Sequence, residues 1–151
     1  MLFASSALSY PTAEEREAVE AWDDRAVEYD FDYEIHTPVT EDGWELTLFR
    51  ITGRDGEDKV ASTKPPVLIM HGDAFDAEFW LDGTYDDDQD DPWMLRLVDL
   101  GYDVWMGNNR GTRYSNVNKN FPDAEDKDSD NYAEQNAAKY DWTFFEMGIY
   151  D

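Results

Sequence analysis

Gly101-Tyr102-Asp103-Val104-Trp105-Met106-Gly107-Asn108-Asn109-Arg110-Gly111 sets a short apolar segment between glycines and follows it with a polar loop. Tyr102 to Met106 reads as a β-strand, and the Asn-Asn-Arg-Gly run reads as the loop leaving its end. Just upstream, Pro92 fits the first turn of a helix. Trp93, Met94, Leu97 and Val98 then recur at helical spacing, and Gly101 stands where a C-terminal cap belongs. Earlier still, Val67 to Met70 is an unbroken apolar run, the pattern of a strand buried on both faces. Strand, helix and strand make a βαβ unit, which implies parallel pairing and a right-handed crossover.

Further out, Tyr33 to His36 reads as a first strand and Glu41-Asp42-Gly43 as a turn. After the turn, Trp44, Leu46 and Leu48 alternate with Glu45 and Thr47, as in a half-buried strand paired back in a hairpin. Thr52 to Pro66, with Gly53, Gly56 and a double proline, reads as a polar linker. Thr12 to Glu28 reads as a solvated helical lead-in, with Thr12 as cap and Glu15 as its box partner. Downstream, Asn131 to Tyr140 and Trp142 to Tyr150 read as short helices. The expected organisation is a lead-in over residues 1–32 and one α/β domain over 33–151, a β-hairpin beside a βαβ unit.

Composition excludes several classes. The 151 residues carry 36 acidic and 12 basic side chains, a formal charge of −24. That field repels nucleic-acid phosphates and anionic membranes, so no nucleic-acid partner is expected. Aromatic residues make up 15% of the chain, which calls for a packed core. Cysteine is absent, and with it any disulfide or zinc–thiolate chemistry. Met1 to Leu8 lacks a basic start and a long apolar stretch, so no complete signal peptide is expected. No run of 18 apolar residues exists to span a bilayer.

The Tyr102–Gly111 strand and loop resemble those of the acid lipases and sterol esterases, the α/β-hydrolase group that includes gastric and lysosomal acid lipases. Val39-Thr40-Glu41-Asp42-Gly43-Trp44-Glu45-Leu46 and Val67-Leu68-Ile69-Met70-His71-Gly72 match in the same order, and the likeness runs from Tyr33 to Asp151. Tyr114, Ser115, the Phe144-Phe145-Glu146-Met147 run and Tyr150-Asp151 continue it. The resemblance implies the N-terminal portion of an α/β-hydrolase fold and hydrolysis of lipid carboxylic esters, either acylglycerols or steryl esters, without a cofactor or a metal. It makes His71-Gly72 the oxyanion loop, with the backbone N–H of Asp73 as donor to the developing oxyanion. The family usually has an apolar residue where Asp73 stands. The loop Asn108, Asn109, Arg110 and Gly111 is structural by the same likeness, and Arg110 can fork its donors onto carbonyls or a carboxylate. A secreted or lysosomal location is implied by family alone.

The nucleophile is missing. No Gly-x-Ser-x-Gly occurs, and the serines, Ser5, Ser6, Ser62, Ser115 and Ser129 among them, lack the glycines that a strand-to-helix elbow needs. Neither His36 nor His71 stands where the triad histidine of this group belongs, so no triad member is expected in the chain. A truncated front half of a lipase, inactive alone, is the expectation. The competing reading is a non-catalytic lipase-like half used for binding or structure, with Asp126, Asp128 and Asp130 at calcium-loop spacing. Against that loop, its twelfth position is Ala137 and not a bidentate Glu. The tract Asp86 to Asp91 could draw cations loosely.

Overall fold

The computed structural model describes residues 13–56, 62–82, 91–121 and 132–151. The expected Thr12 cap, the acidic stretch 86–90 and the Asp126, Asp128, Asp130 triplet lie outside them. Helix α1 (Ala13–Glu28) leads into β1 (Phe31–His36), β2 (Trp44–Glu45), β3 (Leu48–Arg54) and β4 (Val67–Met70). A 3-10 turn (Ala77–Trp80), α2 (Leu95–Asp99), β5 (Val104–Gly107), β6 (Val117–Asn118), α3 (Tyr132–Lys139) and α4 (Phe144–Tyr150) follow.

Four strands form a mixed sheet of order β1-β3-β5-β4. β3 lies antiparallel to both β1 and β5, while β4 and β5 run parallel, with Val67 opposite Val104 and Met70 opposite Gly107. Because β4 and β5 point the same way, the loops leaving Met70 and Gly107 emerge side by side at one sheet edge. Helix α2 ends in a Schellman motif: Tyr102 N–H donates to the Leu97 carbonyl and Gly101 N–H to that of Val98. Gly101 takes the left-handed φ of +81° that this cap demands.

Four expectations are corrected. The strand expected from Trp44 to Leu48 is broken, because the backbone between its halves serves another loop. Thr47 N–H donates to Ser115 Oγ (2.9 Å), and the Thr47 carbonyl accepts from Asn108 N–H (3.1 Å). β2 therefore pairs with β6, an element whose two residues carry no sequence signal, and β1 pairs with β3. The expected linker from Thr52 begins as strand through Arg54, whose guanidinium is held by Asp91, Asp99 and the Tyr29 carbonyl. The strand at Val67 is buried on one face only. As the edge strand it leaves Leu68 and Met70 exposed.

The fourth correction concerns the lead-in helix. Trp22 on α1 is fully buried and stacks on Phe49 of β3 with ring centroids 3.8 Å apart and planes 7° apart. Phe31, Tyr33 and Tyr114 meet the same indole edge-on. Its many charged side chains leave the helix looking solvated in sequence, yet Trp22 anchors it on the sheet. Replacing Trp22 with Ala should cost about 3–5 kcal/mol, read by chemical denaturation. Trp22→Phe should cost far less, since it keeps the stack and removes an indole N–H that has no partner among the described residues. Equal losses in the two variants would contradict this account.

Candidate functional site

The loops from the parallel strand ends wall a cleft of about 620 Å³. His71, Gly72, Asp73, Ala74, Phe75 and Asp76 come from the loop after β4. Asn109 to Arg113 come from the loop after β5, and Trp142, Phe144 and Met147 face them from the α4 end. In open α/β sheets, ligands bind at this carboxyl end of the strands. The structure thus brings together His71, Gly72, Asp73 and the loop Asn109 to Gly111 on one cleft, with Asn108 buried behind it.

Each loop is fixed by polar contacts. Asn108 is buried, its Oδ1 accepting from Ala77 N–H (2.9 Å) and its Nδ2 donating to the Thr47 carbonyl (3.0 Å). Ser115, fully buried, donates from Oγ to the Asn108 carbonyl (2.9 Å) while accepting from Thr47 N–H. A hydroxyl so engaged is a structural tie. Ser62 likewise donates to the Gly101 carbonyl (2.6 Å), away from the cleft. The other serines lie outside the described residues. His36 is exposed beside Glu34 and Trp105, also away from the cleft.

Arg110 is the centre of the second loop. Its side chain has no solvent exposure, and the Asp151 side chain only 1%. Nε and Nη2 donate to Asp151 Oδ1 (2.7 and 2.6 Å), while the Arg110 N–H donates to Asp151 Oδ2 (2.8 Å). Nη1 and Nη2 donate to the two oxygens of Asp42 (2.5 and 3.1 Å). Trp44 and Tyr150 lie against the guanidinium at 5.6 and 5.8 Å. Burial alone would raise the Asp42 carboxyl's pKa, but hydrogen bonds from Arg110 and Thr40 outweigh it and hold the group below its ordinary value. Gly111 follows at a φ of +80°, and a Cβ there would meet the Trp142 ring at 2.8 Å. Only glycine lets that indole close over the loop.

The first loop is tied from both sides. Asn109 N–H donates to His71 Nε2 (3.0 Å), and His71 Nδ1 lies 2.8 Å from the Gly72 carbonyl. Phe75 N–H also reaches that carbonyl (3.3 Å), closing a turn in which Ala74 has a φ of +63°. A positive φ at the third residue marks a type II turn, where glycine is usual. Asp73, its second residue, is exposed, and its N–H donates to no group among the described residues. Asp76 and Glu78 pair with Arg113, and Glu78 also with Arg25 of α1 and the Tyr114 hydroxyl. Burial first, then the Glu78 charge, pushes the Tyr114 phenol well above its usual range, so it stays a donor. Sequence reading missed this network, since its members are scattered over α1, the 3-10 turn and the second loop.

Among the described residues no cluster of His, Asp and Glu is arranged to hold a metal ion. No described helix is long and apolar enough to cross a membrane.

Truncating Arg110 leaves two carboxylates without their cation, Asp151 buried and Asp42 half-buried. Arg110→Ala should therefore cost about 3–5 kcal/mol in chemical denaturation, and Arg110→Lys should recover little, because an ammonium cannot fork onto both. The lowered Asp42 pKa fixes the pH sign. The pair's stabilisation is present above the ordinary carboxylate range and is lost as pH falls through the depressed value. Asp42→Asn should flatten the acid limb of the stability curve; an unchanged limb would contradict the pairing.

Residues 23–83 match the partial alpha/beta-hydrolase lipase region. Triacylglycerol lipase 2 of Arabidopsis thaliana is 39% identical over 120 residues, 78% of this chain and 25% of that protein. Gastric triacylglycerol lipase of Rattus norvegicus is 32% identical over 111 residues, 73% of this chain and 26% of its own length. Lipase 3 of Drosophila melanogaster is 37% identical over 91 residues, 59% of this chain and 21% of that protein. The chain spans about a quarter of the length of these curated relatives. Over the residues it shares with them, the chain is similar to the lipases of the α/β-hydrolase group.

Proposed function

We propose that this chain supplies the oxyanion-loop part of a serine lipase that hydrolyses carboxylic esters of lipids, acylglycerols or steryl esters. Residues 33–151 are then the N-terminal portion of an α/β-hydrolase domain, in which the β1–β3 pair lies beside the β4–α2–β5 unit and 1–32 precede it. The observation that carries the reading is that Asp73, an exposed residue, lines a cleft at the carboxyl ends of two parallel strands with its N–H left without a partner among the described residues. Such a donor stabilises negative charge that develops on a carbonyl oxygen in the transition state. Trp142, Phe144 and Met147 give the opposite wall an apolar surface suited to an acyl chain. In the complete reaction a serine attacks the acyl carbonyl, a histidine takes its proton, and the Asp73 N–H donates to the tetrahedral oxyanion. The serine and the histidine come from residues outside these 151.

The Asp73 carboxylate favours a second reading, a lipase-like half that binds or scaffolds without catalysis. A negative side chain beside the oxyanion position opposes charge development unless it points away.

Two measurements test the first reading, and the second of them separates it from the other. The 151-residue chain should release no p-nitrophenol from p-nitrophenyl butyrate above the buffer rate; turnover abolished by Ser62→Ala or Ser115→Ala would contradict the reading. The gene should continue in frame past Asp151 into a Gly-x-Ser-x-Gly, and its product should hydrolyse long-chain esters. A stop codon after Asp151 would favour the non-catalytic alternative.

A further inference from the structure

A trans peptide unit is planar, so its carbonyl and its N–H point in opposite directions and move together. The Gly72 carbonyl and the Asp73 N–H belong to one such unit. Whatever pins the carbonyl therefore aims the donor. Two groups approach that oxygen, His71 Nδ1 at 2.8 Å and Phe75 N–H at 3.3 Å. On the other side of the imidazole, Nε2 receives the Asn109 N–H at 3.0 Å. A main-chain N–H can only donate, so Nε2 must offer a lone pair, and the ring proton then sits on Nδ1, facing the Gly72 oxygen. Both ring nitrogens are engaged, each in the one role its partner permits.

We infer that His71 is the positioning residue of this loop. Carrying its proton on Nδ1, it joins the Asn109 N–H to the Gly72 carbonyl and so holds the Asp73 N–H toward the cleft.

Two features support this. Ala74 is kept at a φ of +63°, a conformation that costs a non-glycine residue energy and persists only where surrounding contacts over-determine it. Asn109 in turn adjoins Arg110, whose own N–H and guanidinium are locked on Asp151. The imidazole thus transmits the rigidity of a buried ion-pair cluster to an exposed turn. It touches no reacting atom itself. The functional weight of this role rests on the reading of Asp73 as oxyanion donor, but the geometry is testable without any turnover.

The test is NMR on the full 151-residue chain labelled with 15N. In the wild type, the His71 Nδ1 resonance should fall in the protonated range and Nε2 in the unprotonated range; the opposite tautomer would overturn the inference outright. Two variants divide the two bonds. His71→Gln places an acceptor near the Nε2 position but no donor near Gly72, so the Asp73 amide resonance should shift, while Asn109 stays put. His71→Asn places a donor near the Nδ1 position, so Asp73 should stay close to wild type and Asn109 should move. An Asp73 amide unchanged in His71→Gln would refute the positioning role. If the variants fail to fold, the wild-type tautomer still decides. Failure of the lipase reading would appear instead as a stop codon after Asp151 or as absent ester turnover in a longer gene product, with these resonances as described.

Discussion

The cleft depends on one buried cation. Arg110 has no solvent exposure, and its charge is balanced by Asp42 from the turn before β2 and Asp151 from the end of α4. These partners are 68 and 41 residues away in the chain, so one side chain ties three remote segments at the end of β5. A guanidinium suits the task because its rigid fork satisfies both carboxylates while its faces remain available to Trp44 and Tyr150. Removing Arg110 leaves both carboxylates without their cation, Asp151 among them out of water, so the cluster depends on the guanidinium.

Around it, a second layer of neutral hydrogen bonds sets the backbone. Thr47, Asn108 and Ser115 exchange donors and acceptors until each buried group is used. Such closed sets specify one arrangement, since any shift orphans a polar group in a dry place. The strong acidity of the chain is managed in the same manner. Arg25, Arg50, Arg54, Arg110 and Arg113 each engage at least two carboxylates, so these cations tie together separate segments of an otherwise negative molecule.

Much of this was legible from local chemistry. The apolar run Val67–Met70, the Gly101 cap, the strand before Asn108 and the two C-terminal helices all carry short-range signals that tertiary contacts left in place. What was illegible depended on partners far along the chain. The break at Thr47 comes from Ser115 and Asn108, and the strand character of Gly53–Arg54 from pairing with Asp32 and Phe31 of β1. Trp22 looked like a stray apolar residue because its stacking partner, Phe49, lies in another element. At the site, His71, Gly72 and Asp73 stood out as a motif after a strand. The contacts holding them, from Asn109 to the imidazole and from Asp151 to Arg110, could not be read from spacing.

The central claim is that the useful group on Asp73 is its backbone N–H and not its carboxylate. The direct test compares Asp73→Pro with Asp73→Leu in the longer gene product that the proposed function expects to hydrolyse esters. Proline is at home in the second position of a turn, so it should keep the loop while deleting the donor. The account predicts a fall in kcat of about 100- to 1,000-fold for Asp73→Pro with KM little changed, and no fall for Asp73→Leu. Equal losses in both variants, or none in Asp73→Pro, would contradict it.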